Sequence, residues 1–106
     1  MIDEILKLLS TERGEGLLVF GSSRDEGFFM AEHASALMYI ATFQRLQREW
    51  RGNCKSRLMT LTLGGDVVYD LRRVKCMTFD GVWATDFART RMSYDAWAMV
   101  QSRLRQ

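Results

Sequence analysis

The sequence predicts one α+β domain: a mostly antiparallel sheet of about four strands, a long central helix and shorter helices toward each end, in the order α-β-α-β-β-β-α. Three observations carry this. The chain has 106 residues, 47% hydrophobic and 26% charged, enough for one core and too apolar for a disordered chain. Residues 29–51 carry a long apolar pattern at three- and four-residue steps. Beyond residue 57, alternating segments are punctuated by Gly-Gly-Asp and Asp-Gly. Hairpin strands flanked by helices predict helices packed on one face of the sheet.

Residues 2–13 place Ile2, Ile5, Leu6 and Leu9 at helical spacing, with Asp3 and Glu4 where the helix dipole favours carboxylates. Gly14 is the expected stop. The run from Gly16 to Phe20 is short, continuous and apolar between glycines, the pattern of a buried strand. Gly21-Ser22-Ser23-Arg24 then joins it to a helical pattern. Backbone amides in that setting can hold a phosphate. The loop lacks both G-x-x-x-x-G-K-[ST] and G-x-G-x-x-G, and Asp25 and Glu26 follow at once. Carboxylates there repel phosphate and suit the first turn of a helix. A turn with an N-cap is expected; the alternative is a hairpin over 16–31, entering a strand through Gly27–Met30.

In the central segment Phe29, Ala36, Ile40, Phe43, Leu46 and Trp50 recur at helical steps, and Met30, Ala34, Leu37, Met38 and Ala41 widen the stripe. A core helix follows from this. It turns basic at Arg45, Arg48 and Arg51 and stops at Gly52-Asn53. Residues 57–63 alternate as a strand does. A three-residue Gly64-Gly65-Asp66 loop pairs Leu63 with Val67, Leu61 with Tyr69, Met59 with Leu71 and Arg57 with Arg73. It puts the large apolar residues on one face, as a side-chain period of two requires. A bulge at Arg72–Arg73 moves the core face to Val74 and Cys76. Asp80-Gly81 is the strongest hairpin signal and sets Lys75 opposite Asp86. Ser93 caps a last helix with Tyr94, Trp97, Val100 and Leu104 as its apolar stripe.

No apolar run approaches the ~20 residues that cross a bilayer, and the acidic start does not resemble a secretory signal. A cytoplasmic protein with Cys54 and Cys76 as free thiols is expected. One histidine, His33, and two cysteines 22 residues apart supply neither a zinc set nor a nucleophile signature. His33 reads as a packed residue, Cys76 as strand core and Cys54 as a helix–strand junction. Asp66, Asp70, Asp80 and Asp86 read as turn formers or solvated strand residues. No catalytic residue, metal or cofactor is expected.

Charge is the informative feature. Residues 1–35 carry seven carboxylates against three Lys/Arg, and residues 36–106 carry twelve Lys/Arg against six carboxylates. Lys55, Arg57, Arg72, Arg73 and Lys75 form an expected basic cluster, approached by Arg45, Arg48 and Arg51. Like charges facing across a sheet repel, so an anion belongs there. Glu12, Glu15, Asp25 and Glu26 are the internal candidates; an acidic protein surface and a nucleic-acid backbone are the external ones. Tyr69, Phe79, Trp83 and Phe87 are expected in core or cross-strand packing. Trp50 is the expected apolar anchor beside the cations. The expected function is a small non-enzymatic binding or modulator protein, an adaptor or inhibitor. It docks on a larger macromolecule or self-associates as a homo-oligomer through this basic and aromatic surface, with no membrane partner. The alternatives are a nucleic-acid-binding module using the same patch, and a small ligand-binding domain or enzyme using the Gly21–Arg24 loop.

Overall fold

A strand as uniformly apolar as residues 16–20 has no face to offer to water, so it has to be covered twice. The computed structural model, which describes residues 1–52 and 54–105, does this with a three-layer arrangement. In chain order the elements are α1 (Ile2–Leu9), β1 (Glu15–Phe20), α2 (Ser23–Ile40), β2 (Ala41–Gln44), β3 (Glu49–Gly52), β4 (Arg57–Thr62), α3 (Val67–Leu71), a 3₁₀ turn (Arg72–Val74), β5 (Gly81–Ala84), α4 (Asp86–Arg91) and α5 (Tyr94–Gln101). The sheet order is β2-β3-β4-β1-β5. β1 pairs in parallel with β4 on one side and β5 on the other, whereas β2–β3 and β3–β4 are antiparallel.

Alternation along β1 sends its residues to two cores. Leu18 and Phe20 join Leu58, Trp50, Ile5, Leu9, Phe29 and Leu37 under α1 and α2. Leu17 and Val19 join Leu61, Leu63, Leu71, Val74, Ala88, Met92 and Val100 under α3, α4 and α5. The Cα radius of gyration, 13.0 Å, is that of a single domain of about 100 residues.

The α+β class, the buried first strand and the terminal helices stand. Ser22 accepts the Asp25 amide as the N-cap of α2, which excludes the 16–31 hairpin, and Ser93 accepts from Ala96 as the cap of α5. Other expectations are corrected. The sheet is mixed and five-stranded, and helices cover both faces rather than one.

The helical pattern of 29–51 is divided. α2 starts earlier, at Ser23, and ends at Ile40, and residues 41–52 form a hairpin. Phe43 and Trp50 are seven residues apart, which satisfies either reading: one helix face, or direct partners across a four-residue turn. They are direct partners, with ring centroids 5.2 Å apart. The turn is closed by Arg48, whose φ of 51° lies in the left-handed region, and whose carbonyl accepts the Thr60 amide and hydroxyl. Gly52 belongs to β3, and Asn53 lies outside the described residues.

Residues 67–71 are a helix, not a returning strand, because Asp66 caps it by accepting the Tyr69 amide. The pairings of Val67, Tyr69, Leu71 and Arg73 with β4 therefore do not form, nor does the bulge. Asp80-Gly81 makes no hairpin. Asp80 joins β1 instead: its amide donates to the Glu15 carbonyl (2.7 Å) and its carboxylate accepts the Glu15 amide (2.9 Å), launching β5 in parallel. Lys75 and Asp86 accordingly lie outside any strand pair.

The two-sided burial of β1 has a direct test. Leu17 and Leu18 are fully buried in opposite cores. Leu17→Ala and Leu18→Ala are each predicted to destabilise the domain by about 3 kcal/mol in urea denaturation. A nearly neutral Leu17→Ala would show that the second core is not packed.

Candidate functional site

The cations expected to form one cluster are separated by the fold into paired and unpaired groups. Arg57 opens β4 beside Glu15 of β1 and opposite Arg51 of β3, not opposite Arg73. Its Nε and Nη2 both donate to Glu15 Oε2, at 2.9 and 2.7 Å. The second Glu15 oxygen accepts Arg105 Nη2 at 2.7 Å, and Arg105 Nη1 reaches Asp80 at 3.1 Å. On the other side the buried Glu49 lies 3.2 Å from Arg51 and 3.8 Å from Arg57. Three arginines and three carboxylates thus alternate across one end of the sheet. Separately, Arg48 donates to Glu26 at 3.3 Å. The acidic first third of the chain supplies Glu15 and Glu26, two of the four internal counter-charges named from sequence. Glu12 offers its carbonyl to the Lys55 amide and its carboxylate has no ion pair among the described residues, and Asp25 is engaged elsewhere.

The other candidates are placed differently. Arg45 sits in the β2–β3 turn and Lys55 in the loop before β4; Arg72 and Arg73 lie in the 3₁₀ turn and Lys75 just after it. None of these five has an ion-pair partner among the described residues. Arg72 covers the half-exposed Tyr69 ring at 4.4 Å. Trp50 is not an exposed anchor: it is 2% exposed, because its β3 position faces the α1–α2 core. Tyr69 and Phe87 were expected in the packing and are instead exposed on α3 and α4, and Cys76 is exposed in a loop rather than buried in a strand.

The carboxyl ends of the three parallel strands meet where an open α/β sheet commonly binds ligands. Here the groups are engaged internally. Asp25 accepts the Gly21 amide at 2.8 Å and the Thr85 hydroxyl, tying the β1–α2 loop to the β5–α4 loop. Arg91 donates to the carbonyls of Gly21 and Gly64 at 2.6 Å and of Leu63 at 3.3 Å, closing the crevice between β1 and β4. The Gly21 amide points at the Asp25 carboxylate and the Ser22 hydroxyl caps α2, the arrangement of a turn with an N-cap. His33 packs on Phe29 with centroids 4.8 Å apart. Among the described residues no three His, Cys, Asp or Glu side chains group as a metal site would require. No helix among the described residues is long and apolar enough to cross a membrane.

One surface was not found from sequence. α2 buries Phe29 and Leu37, yet Phe28, Met38 and Tyr39 stand 62%, 69% and 92% exposed. Phe28, Ala31, Ser35 and Met38 follow at helical steps along one exposed stripe, with Arg24 above the Phe28 ring at 5.4 Å. The signal was present as the excess width of the apolar pattern, which a wholly buried helix also explains.

Glu15 titrates with the network. Arg105 and then Arg57, both donating to its oxygens, hold its carboxyl below the ordinary 4.5. A carboxyl lowered in the folded state stabilises the fold above its unfolded pKa and loses that contribution as pH falls through the folded value. Glu15→Gln is therefore predicted to lower the urea midpoint at pH 7, with the gap to wild type closing as pH drops below 4.5. A gap independent of pH would assign the loss to packing instead. Comparisons of the chain with protein-family models, with curated proteins and with solved structures give no match.

Proposed function

We propose that the protein is a small non-enzymatic binding protein of the cytoplasm that acts by association, with the outer face of α2 as its docking surface and a second copy of the chain as the occupant. The observation that carries this is the exposed apolar stripe on α2. A helix apolar nearly all round is ordinarily covered on every side, and only the Phe29–Leu37 side of α2 is covered within the domain.

The stripe is self-complementary. An antiparallel second α2, related by a two-fold axis midway between Ala31 and Ser35, sets Phe28 beside Met38 of the other copy and Ala31 beside Ser35. The small central residues let the helices approach, and the large terminal ones fill the flanks. The 18 residues of α2 span about 27 Å. A single helix pair of that length buries less than the roughly 800 Å² per partner of a standard interface, so a micromolar association is expected rather than an obligate dimer. Of the basic residues, Arg48, Arg51 and Arg57 are held in internal ion pairs, and none lies on the stripe itself.

Light scattering and sedimentation over a concentration series test the reading. Wild type is predicted to pass from monomer to dimer with a Kd on the order of 10 μM. Met38→Glu and Phe28→Glu, both on the exposed stripe, should stay folded by circular dichroism and remain monomeric. A wild type that is monomeric throughout overturns the self-association. A macromolecule then retained from lysate by wild type and lost with Met38→Glu would assign the face to a different partner.

A further inference from the structure

A groove of about 720 Å³, in the size range of small-ligand sites, lies between α1 and the edge strand β5, at the opposite end of β1 from the Gly21 loop. α1 and α2 pack over β1, β4 and β2, and Trp83 of β5 packs against the edge of that core and lines the groove. The way Trp83 is held is specific. Gly16 and Gly81 are direct partners in the β1–β5 pair, and the benzo edge of the indole lies over both. A Cβ at Gly16 would stand 2.8 Å from Cζ3 of the ring, and one at Gly81 would be closer still. Paired glycines weaken a sheet and mark a close approach; here what approaches is the indole. The benzo edge of the ring is fixed on bare backbone, and the half-buried side chain lines the groove.

Around that platform the charges are uneven. Asp80 and Arg105 face the groove but are engaged with each other and with Glu15. Lys7 and Arg13 line it with no ion-pair partner among the described residues, and Glu4, on the rim, sits 3.9 Å from the Met1 amino group. A rigid aromatic surface with two unpaired cations beside it fits a planar ring carrying a phosphate: the ring stacks on Trp83, and Lys7 and Arg13 take the phosphate oxygens. We propose that this groove is a binding site for a nucleoside phosphate, either as a free nucleotide or as a nucleotide of a single strand. The site is independent of the α2 stripe.

Titrations of the full chain with AMP, with adenosine and with a short oligothymidylate, followed by tryptophan emission and calorimetry at low salt, test this. AMP is expected to bind saturably with Kd near or below about 1 mM, and adenosine at least about 10-fold more weakly because it lacks the phosphate. Arg13→Glu, at an exposed position, should fold normally and weaken AMP about 10-fold. Trp83→Leu should do the same, and a Trp83→Phe variant that keeps a stacking ring should recover part of the affinity. Tighter binding of the oligonucleotide, with a salt slope of about −0.7 for each phosphate engaged, identifies the strand as the source, and equal affinity identifies the free nucleotide. No saturable binding of either, or binding unchanged by Arg13→Glu, overturns the proposal.

Discussion

The rest of the structure depends on the burial of β1 on both faces. Five consecutive residues from Gly16 to Phe20 offer water no side, and the strand is bonded along both edges as well. Each neighbour runs parallel to it, so the chain must return each time from the far end of the sheet, and the returns supply the covering layers. α2 follows β1 onto one face; α3 and the 3₁₀ turn follow β4 onto the other and deliver the chain to β5. With 106 residues for two cores, the second layer is assembled from short helices, each of which needs its own cap. Asp66, Thr85 and Ser93 supply them.

The same strand organises the charges. Glu15 opens β1 between the starts of β4 and β5, which brings Arg57 and, through the last described residues, Arg105 to a single carboxylate. Parallel pairing places three strand starts together at one end of the sheet, and this is why acidic and basic parts of the chain, far apart in sequence, alternate there. At the other end the three strand exits are tied by Asp25, Thr85 and Arg91. Both ends of β1 are thus held by polar networks. The functional readings fall on two surfaces beside these networks, the outer face of α2 and the groove at Trp83.

The legible parts were those where one residue type had one physical use. The apolar run at 16–20, the acidic amphipathic first helix, the Ser22 turn and the Ser93 cap were readable because glycine, serine and helical spacing there admit few alternatives. The middle was not readable in the same way. Phe43 and Trp50 satisfy a helix and a hairpin equally, and with no proline or glycine at Ala41 nothing marks the end of α2. Val67-Val68-Tyr69 favours a strand by propensity, but the Asp66 cap and the core contact of Leu71 prevail. Asp-Gly at 80–81 is a turn signal only when no strand waits beside it; here the glycine serves the indole of Trp83 and the aspartate serves β1. The candidate cations were each identified as surface residues, but their grouping depended on a register that never forms. Trp50 was misplaced for a different reason: residues 41–52 form a hairpin rather than the end of the helix, and there it faces inward.

Native-state hydrogen exchange tests the central claim most directly. If β1 is the doubly covered, doubly bonded strand on which the domain rests, the amides of Leu17, Leu18, Val19 and Phe20 exchange only through global unfolding. Their opening free energies then equal that of urea denaturation, while the amides of the edge strand β2, from Ala41 to Gln44, open at lower cost. Exchange of the β1 amides as fast as those of β2 would contradict the account.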